Sequence, residues 1–260
     1  MSGANKSLGQ HWLHDRNVLS GIADYGELTP SDTVLEIGPG LGTLTSELLR
    51  RAGKVIAVEF DESLASKLPA QFPGKNLEVK SGDILKFNLS GMPAGYKVVA
   101  NIPYYITSKI VKMFMTAENK PSIVVLLVQK EVAERLAAKP GKMSVLSVSA
   151  QVFSNVTLGE TISAKLFSPV PKVDSRVVIM QTRQDSFFTN IDETNFFKVV
   201  KAGFSSRRKK LRSSLAGGLE LSKVDAEAIL EKSAIDPNAR AETLNLADWV
   251  RLTRIVESYC

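Results

Sequence analysis

Cysteine is almost missing from this 260-residue chain; the single one, Cys260, is the final residue of the sequence. No disulfide can close within one chain and no cysteine-based metal site can be assembled, so a reducing cytoplasm is the expected setting. Histidine is nearly as scarce. His11 and His14 are the only two, and with no further His or Cys cluster to complete a ligand set, no metal is expected. No apolar run approaches the ~20 residues needed to span a bilayer. Residues 1–13 lack an apolar core of the secretory type, so neither a membrane span nor a signal peptide is expected. What is present is a hydrophobic fraction of 44%, enough for a substantial core in one large domain or two unequal ones. The net charge of +6 leans toward a polyanionic partner, and its placement decides what it means.

Up to about residue 184 the chain alternates short β-rich runs with helical patterns, which predicts an α/β sheet. Strands are expected over 33–37, 54–59, 77–80, 97–100 and 123–128, with helices over 43–51, 62–71, 107–117 and 130–138. Two later strands, 156–162 and 175–182, have the look of a hairpin pairing across the intervening segment. Beyond Arg183 strand-like runs vanish, and helices are expected over 193–202, 207–215, 223–232 and 246–259. Gly217-Gly218 and Asp236-Pro237 punctuate these segments. The predicted division is therefore 1–184 and a small all-helical domain, 185–260.

The first chemical signal is Glu36-Ile-Gly-Pro-Gly-Leu-Gly42, between a predicted strand and helix. Glycines there let the backbone turn sharply and approach a ligand closely. A dinucleotide fingerprint would read G-x-G-x-x-G with a helix N-terminus facing a pyrophosphate. This loop reads G-x-G-x-G after an acid, which suits a ligand without phosphate but with a cationic amino-acid tail. S-adenosylmethionine fits that description. Glu59 ends the second strand, where a carboxylate can accept from both ribose hydroxyls. Asp83, in Ser-Gly-Asp-Ile after the third strand, is placed to accept from an adenine amino group. Three acids follow three consecutive strands, at the edge where open α/β sheets bind ligands.

After the fourth strand comes Asn101-Ile-Pro-Tyr104, followed by Tyr105. An aromatic amine is a weak nucleophile because its lone pair is delocalised into the ring. Acceptors that hold its N–H bonds let the nitrogen become pyramidal as it attacks a methyl group. The Asn101 side-chain oxygen and the Ile102 carbonyl are suited to that work. Pro103 stiffens the loop, and Tyr104 offers a face on which an extruded base can stack.

Along nearly its whole length the chain resembles the small-subunit ribosomal RNA adenine dimethyltransferases. The resemblance rests on Lys6-Ser-Leu-Gly-Gln-His-Trp-Leu13, Glu36 to Gly42, Val58-Glu59, Gly82-Asp83, Asn101 to Tyr104 and Gln129-Lys-Glu-Val132. Further along it rests on Pro169-Val-Pro-Lys-Val-Asp-Ser175, Phe204 to Arg212, and Asp236-Pro237. It implies a class I, Rossmann-like methyltransferase sheet with helices on both faces and a helical C-terminal domain. It also implies S-adenosyl-L-methionine as cofactor, and dimethylation of two adjacent adenines near the 3′ end of small-subunit rRNA in an assembling ribosomal subunit. By the same resemblance His11, Leu13, Gly38, Glu59, Asp83 and Asn101 are the cofactor contacts. Asn101, Ile102, Pro103 and Tyr104 are the catalytic turn. His11 stands where the family frequently has Asn, so a backbone contact there would survive and a side-chain contact need not. The stretch 142–148 lacks the Tyr-Gly usual before Leu-Ser-Val and is given no role.

From Lys198 to Arg212 there are seven basic residues and no acidic one. If residues 207–215 are helical, Arg207 and Lys210 share a face, as do Arg208 and Arg212. Arg207, Arg208, Lys209, Lys210 and Arg212 are the expected phosphate contacts, with Lys6 as an added N-terminal arm contact. Two other readings stand beside this one. The first is a large-subunit rRNA adenine methyltransferase of the macrolide-resistance type, which shares the glycine loop and the Asn-Ile-Pro turn. The second is a non-catalytic RNA-binding protein that kept the fold. Nothing in the sequence demands more than a monomer.

Overall fold

The computed structural model describes residues 10–206 and 208–259. Lys6, Arg207 and Cys260, singled out above, lie outside the described residues. In chain order the elements are β1 (Trp12–Leu13), α1 (Arg16–Asp24), β2 (Thr33–Ile37), α2 (Thr43–Leu48), β3 (Lys54–Glu59) and α3 (Glu62–Lys67). There follow β4 (Leu77–Ser81), β5 (Lys97–Asn101), α4 (Thr107–Thr116), β6 (Ile123–Gln129), α5 (Lys130–Leu136) and α6 (Val145–Gln151). The chain continues through β7 (Ser154–Ile162), β8 (Phe167–Ser168), β9 (Ser175–Thr182), α7 (Glu193–Phe204), α8 (Leu211–Leu219), α9 (Lys223–Lys232) and α10 (Leu246–Tyr259).

Seven strands form one sheet in the order β4-β3-β2-β5-β6-β9-β7. The first five run parallel, and β9 and β7 complete the sheet by antiparallel pairing. The fold is the expected Rossmann-like sheet with helices on both faces and a helical C-terminal region. The strand sequences explain the arrangement. In β6 every residue from Ile123 to Val128 is buried, the continuous apolar run of a strand covered on both faces. Asp15 and Asp61 accept hydrogen bonds from first-turn N–H groups and set where α1 and α3 begin. The chain leaves β2 for β3 on one side and places β5 on the other. The reversal point of the sheet therefore lies at the carboxyl ends of β2 and β5, where such sheets bind ligands.

The chain separates into two compact units. One comprises residues up to Glu134 with Ser154–Thr182; the other comprises Arg135–Phe153 with Arg183 onward. A single boundary near 184 misses the insertion of 135–153 into the helical unit. Three contacts hold that segment there. Phe153 packs its ring on Phe188 and Phe197, the N–H groups of Gly141 and Met143 donate to the Glu242 carbonyl, and α6 packs on α7. A reciprocal cap between Ser144 and Ser147 starts α6, within the stretch that the sequence left without a role.

The helical unit also corrects the expected helix at 207–215. The helix begins at Leu211, with Lys210 as its extended N-cap residue. Leu211 is fully buried and its N–H donates to the Ala239 carbonyl, and Arg208, Lys209 and Lys210 lie outside the helix. Gly217 and Gly218 lie within α8 rather than ending it. Gly218 is there for contact: a Cβ would come within 2.6 Å of the Ala202 Cα. Gly203 likewise makes room for the Trp249 ring, which stacks on Phe204 at 5.4 Å. No helix among the described residues is long and apolar enough to cross a membrane.

Candidate active site

A cavity of about 340 Å³ opens at the carboxyl ends of β2, β3, β4 and β5, within the range of small-molecule sites. His11, Leu13, Gly38, Glu59, Asp83, Asn101, Ile102, Pro103 and Tyr104 all line it. The sequence scatters these residues over 94 positions from first to last, and parallel register gathers them. Ile37 pairs with Val58 and Glu59 with Ser81, so each strand delivers its next residue to the same edge.

The glycine loop is shaped by backbone conformation. Gly38, Gly40 and Gly42 all have positive φ, between 56° and 80°, a region that side chains other than glycine rarely tolerate. A Cβ on Gly38 or Gly82 would meet nothing within 4 Å. At Gly40 it would stand 3.3 Å from the Trp12 indole nitrogen. Trp12 thus lies against the loop, a contact between residues 28 positions apart that no local pattern signals.

The acids differ in what already holds them. Glu59 is buried and accepts from the Gly40 N–H through Oε2 and from the Asp61 N–H through Oε1, both at 2.9 Å. Each oxygen keeps a further lone pair for a ligand hydroxyl. Asp83 accepts from the Leu85 N–H through Oδ1 at 2.9 Å and is half-buried. Glu36 is 1% exposed and accepts from the Thr45 hydroxyl at 2.6 Å. Burial first, and then the nearby Glu59 charge, push the Glu36 carboxyl up to about 8 against the opposing Thr45 bond. At neutral pH Glu36 is largely a neutral hydrogen-bonding group.

The Asn101–Tyr104 turn is fixed from several directions. Asn101 Nδ2 donates to the His11 carbonyl at 3.3 Å, which turns its amide oxygen away from that carbonyl. The Tyr104 hydroxyl and the Ser175 hydroxyl share a hydrogen bond of 2.7 Å. Burial raises the Tyr104 phenol above its ordinary value despite that bond, so it stays protonated. The His11 ring lies over the Tyr104 ring, with centroids 5.9 Å apart and planes 18° off parallel. Its Nδ1 donates to the Pro169 carbonyl at 2.7 Å, since a carbonyl can only accept. The two-residue strand β1 pairs with β8 beside these contacts. The side chain of His11 thus has a role in shaping the turn, beyond the backbone contact foreseen for it.

Sequence reasoning missed Phe60, Tyr105 and Lys109 among the cavity residues. Phe60 directly follows Glu59, and its 60% exposure breaks the apolar-inside pattern of the strand before it. In the helical unit the expected phosphate contacts divide. Arg208, Lys209 and Lys210 are exposed. Arg212 instead forms an ion pair with Glu227 at 3.1 Å, and Lys210 donates to the Asn238 side chain at 2.7 Å.

Residues 1–257 match the model of the family described as ribosomal RNA adenine dimethylase. The chain is 43% identical over 253 residues to the ribosomal RNA small subunit methyltransferase A of Dehalococcoides mccartyi, spanning 96% of this chain and 87% of that protein. The namesake from Desulfitobacterium hafniense is 41% identical over 257 residues, spanning 97% and 92%. Among solved structures, a dimethyladenosine transferase from Plasmodium falciparum superposes with a TM-score of 0.81 at 29% identity, over 93% of this chain and 96% of that one. The 23S rRNA methyltransferase ErmE superposes with a TM-score of 0.76 at 29% identity, over 95% and 99%.

Proposed function

The chain belongs to the ribosomal RNA adenine dimethylase family, whose members are S-adenosylmethionine-dependent enzymes, and from that membership we propose how its cavity works. The protein dimethylates the exocyclic amines of two adjacent adenines near the 3′ end of small-subunit rRNA. It acts in the cytoplasm, as a monomer, on an assembling subunit. One observation carries this reading: the Asn101–Tyr104 turn and the acids Glu59 and Asp83 face the same cavity.

The residues present fit the donor. The space beside Gly38 and Gly82 that a Cβ would fill is open, and the acids stand where hydroxyl and amine donors need acceptors. Glu59 would hold the ribose hydroxyls, Asp83 the adenine amine, and the backbone around Gly38, with His11 and Leu13, the amino-acid tail. When bound, S-adenosylmethionine supplies a methyl group made electrophilic by its sulfonium.

The protein's own part is to present the nucleophile. With Nδ2 committed to the His11 carbonyl, Asn101 offers Oδ1 as an acceptor, and the Ile102 carbonyl offers a second. Together they hold the two amine hydrogens and draw the nitrogen out of conjugation. Pro103 limits the turn to one shape. Tyr104, pinned through Ser175 and covered by His11, is a rigid stacking platform for a base taken out of its helix. The amine attacks before losing a proton, so no strong base is needed. In the helical unit, Arg208 and Lys209 supply phosphate contacts, with Lys210, Arg212 and Arg207 assigned to the same surface by sequence.

Incubation with unmethylated small and large ribosomal subunits, followed by mass-spectrometric mapping, tests the proposal. Dimethyladenosine at two neighbouring positions of the small subunit is expected. Methylation confined to the large subunit, or none at all, would refute it.

A further inference from the structure

The large hydrophobic side chains that remain exposed in the first unit are not scattered. Among the described residues they are Phe60, Tyr105, Leu166, Val170 and Val173. Phe60 and Tyr105 line the cavity itself. The other three lie in the segment 163–174, which is tied to the cavity through the Pro169 carbonyl on His11 and through Ser175 on Tyr104. An apolar patch of this kind, rimmed by polar residues, marks a place where something docks.

Beside Tyr105 the charge has one sign, although Asp174 follows Val173 and Asp61 and Glu62 follow Phe60 elsewhere along the patch. Tyr105 is 67% exposed. Lys109 and Lys112, both exposed, lie three residues apart on α4 and so share a side of that helix, and Lys109 lines the cavity together with Tyr105. The helix α4 contains no acidic residue. Neither lysine has an acidic partner within 4.0 Å among the described residues. Lys172 adds another exposed cation between Val170 and Val173.

We propose that this rim is a second RNA-binding surface, on which the nucleotides flanking the extruded adenine dock, with Tyr105 stacking on a neighbouring base and Lys109 and Lys112 holding its phosphates. The inference rests on the proposed RNA substrate and adds where the strand runs on either side of the target. Pulling one base out of a strand leaves its neighbours without stacking partners. An exposed aromatic ring at the mouth replaces a lost partner whatever the base, and lysines at helical spacing meet the backbone that continues past it. Val170 and Val173, exposed in the segment whose Pro169 carbonyl holds His11, add an apolar surface of the kind used to fill a gap between bases.

The test compares the full-length parent with Tyr105→Ala, Tyr105→Trp and the pair Lys109→Glu, Lys112→Glu. The probes are unmethylated small subunits and a single-stranded oligoadenylate carrying 2-aminopurine beside one adenine. Tyr105→Ala is expected to weaken oligoadenylate binding about tenfold and to lose the 2-aminopurine quenching seen with the parent. Tyr105→Trp should restore both. The lysine pair should flatten the salt dependence of binding by about two charges. Lys112→Glu alone, outside the cavity lining, should weaken oligoadenylate binding while S-adenosylmethionine affinity stays at the parent value.

Equal oligoadenylate affinity and salt slope in parent and variants, while the parent still methylates its subunit, would overturn this surface alone. A parent that methylates no RNA would remove the enzymatic reading and this inference with it. Variants that bind oligoadenylate normally yet bind whole subunits weakly would assign the rim to a ribosomal protein and overturn the proposal.

Discussion

The strand-end cavity and the basic stretch of the helical unit were both singled out from sequence, and they differ in how far their side chains are already committed. Around the cavity the residues that matter have capacity left over. Glu59 uses one lone pair on each oxygen, Asn101 uses only its nitrogen, and the glycines open space instead of filling it. In the basic stretch Arg212 is spent on Glu227 and Lys210 on Asn238. A motif defined by backbone geometry keeps its meaning once folded, because the strand register fixes where it points. A run of charge does not, because each cation can find a local partner first.

Chemistry on one side and packing on the other make this comparison breakable. The largest effect is expected at Asn101. Asn101→Ala should lose about 10²–10³ in single-turnover methyl transfer while cofactor binding stays within a few-fold, as for a lost preorganised acceptor. Near-parental transfer would remove Asn101 from the mechanism. In the helical unit the sensitive positions should instead be structural. Gly218→Ala forces a Cβ against the Ala202 backbone, and should cost about 1–3 kcal/mol in denaturant unfolding without changing cofactor affinity. Unchanged stability would show that α7 and α8 are free to separate.

A smaller effect is expected within the basic stretch. Arg208→Glu with Lys209→Glu should weaken binding to small-subunit rRNA several-fold and reduce its salt slope. Arg212→Ala should change RNA affinity less, and its exposed ion pair should contribute under about 1 kcal/mol to stability. If Arg212 instead proves the stronger RNA contact, its pairing with Glu227 does not bind it as argued. The subtlest effect concerns Glu36. Its folded value of about 8 lies above the ordinary carboxyl value of 4.5, so the folded state binds more protons between those limits. The stability this contributes is complete below the lower limit and is lost as pH rises through the upper one. Thermal melts from pH 4.5 to 8 should therefore slope downward more steeply in the parent than in Glu36→Gln. Parallel slopes would mean that Glu36 stays ionised.

Much of this could be read from sequence, for identifiable reasons. The buried parallel strands announce themselves as unbroken apolar runs, as in Ile123–Gln129, and the glycines and acids sit at their ends. What escaped depends on contacts distant in the chain. The pairing of Trp12–Leu13 with Phe167–Ser168 joins two-residue strands too short to carry a pattern. Gly217 and Gly218 have the usual look of a helix break, but the close approach of Ala202 requires Gly218 inside a helix. The start of α8 was misplaced because charge spacing was taken for helical phase, whereas the buried Leu211 sets that phase. The helix at Val145–Gln151 did carry a local signal, Ser144 and Ser147 three residues apart, which a search for Glu or Gln at the second position overlooks.

Calorimetric titration of S-adenosylmethionine into the parent and into Glu59→Ala, each first shown by thermal melting to be folded, tests the pocket most directly. Micromolar-range binding by the parent, with a loss of at least tenfold in the variant, is the predicted result. Equal affinity in the two proteins, or no binding by the parent, would contradict it.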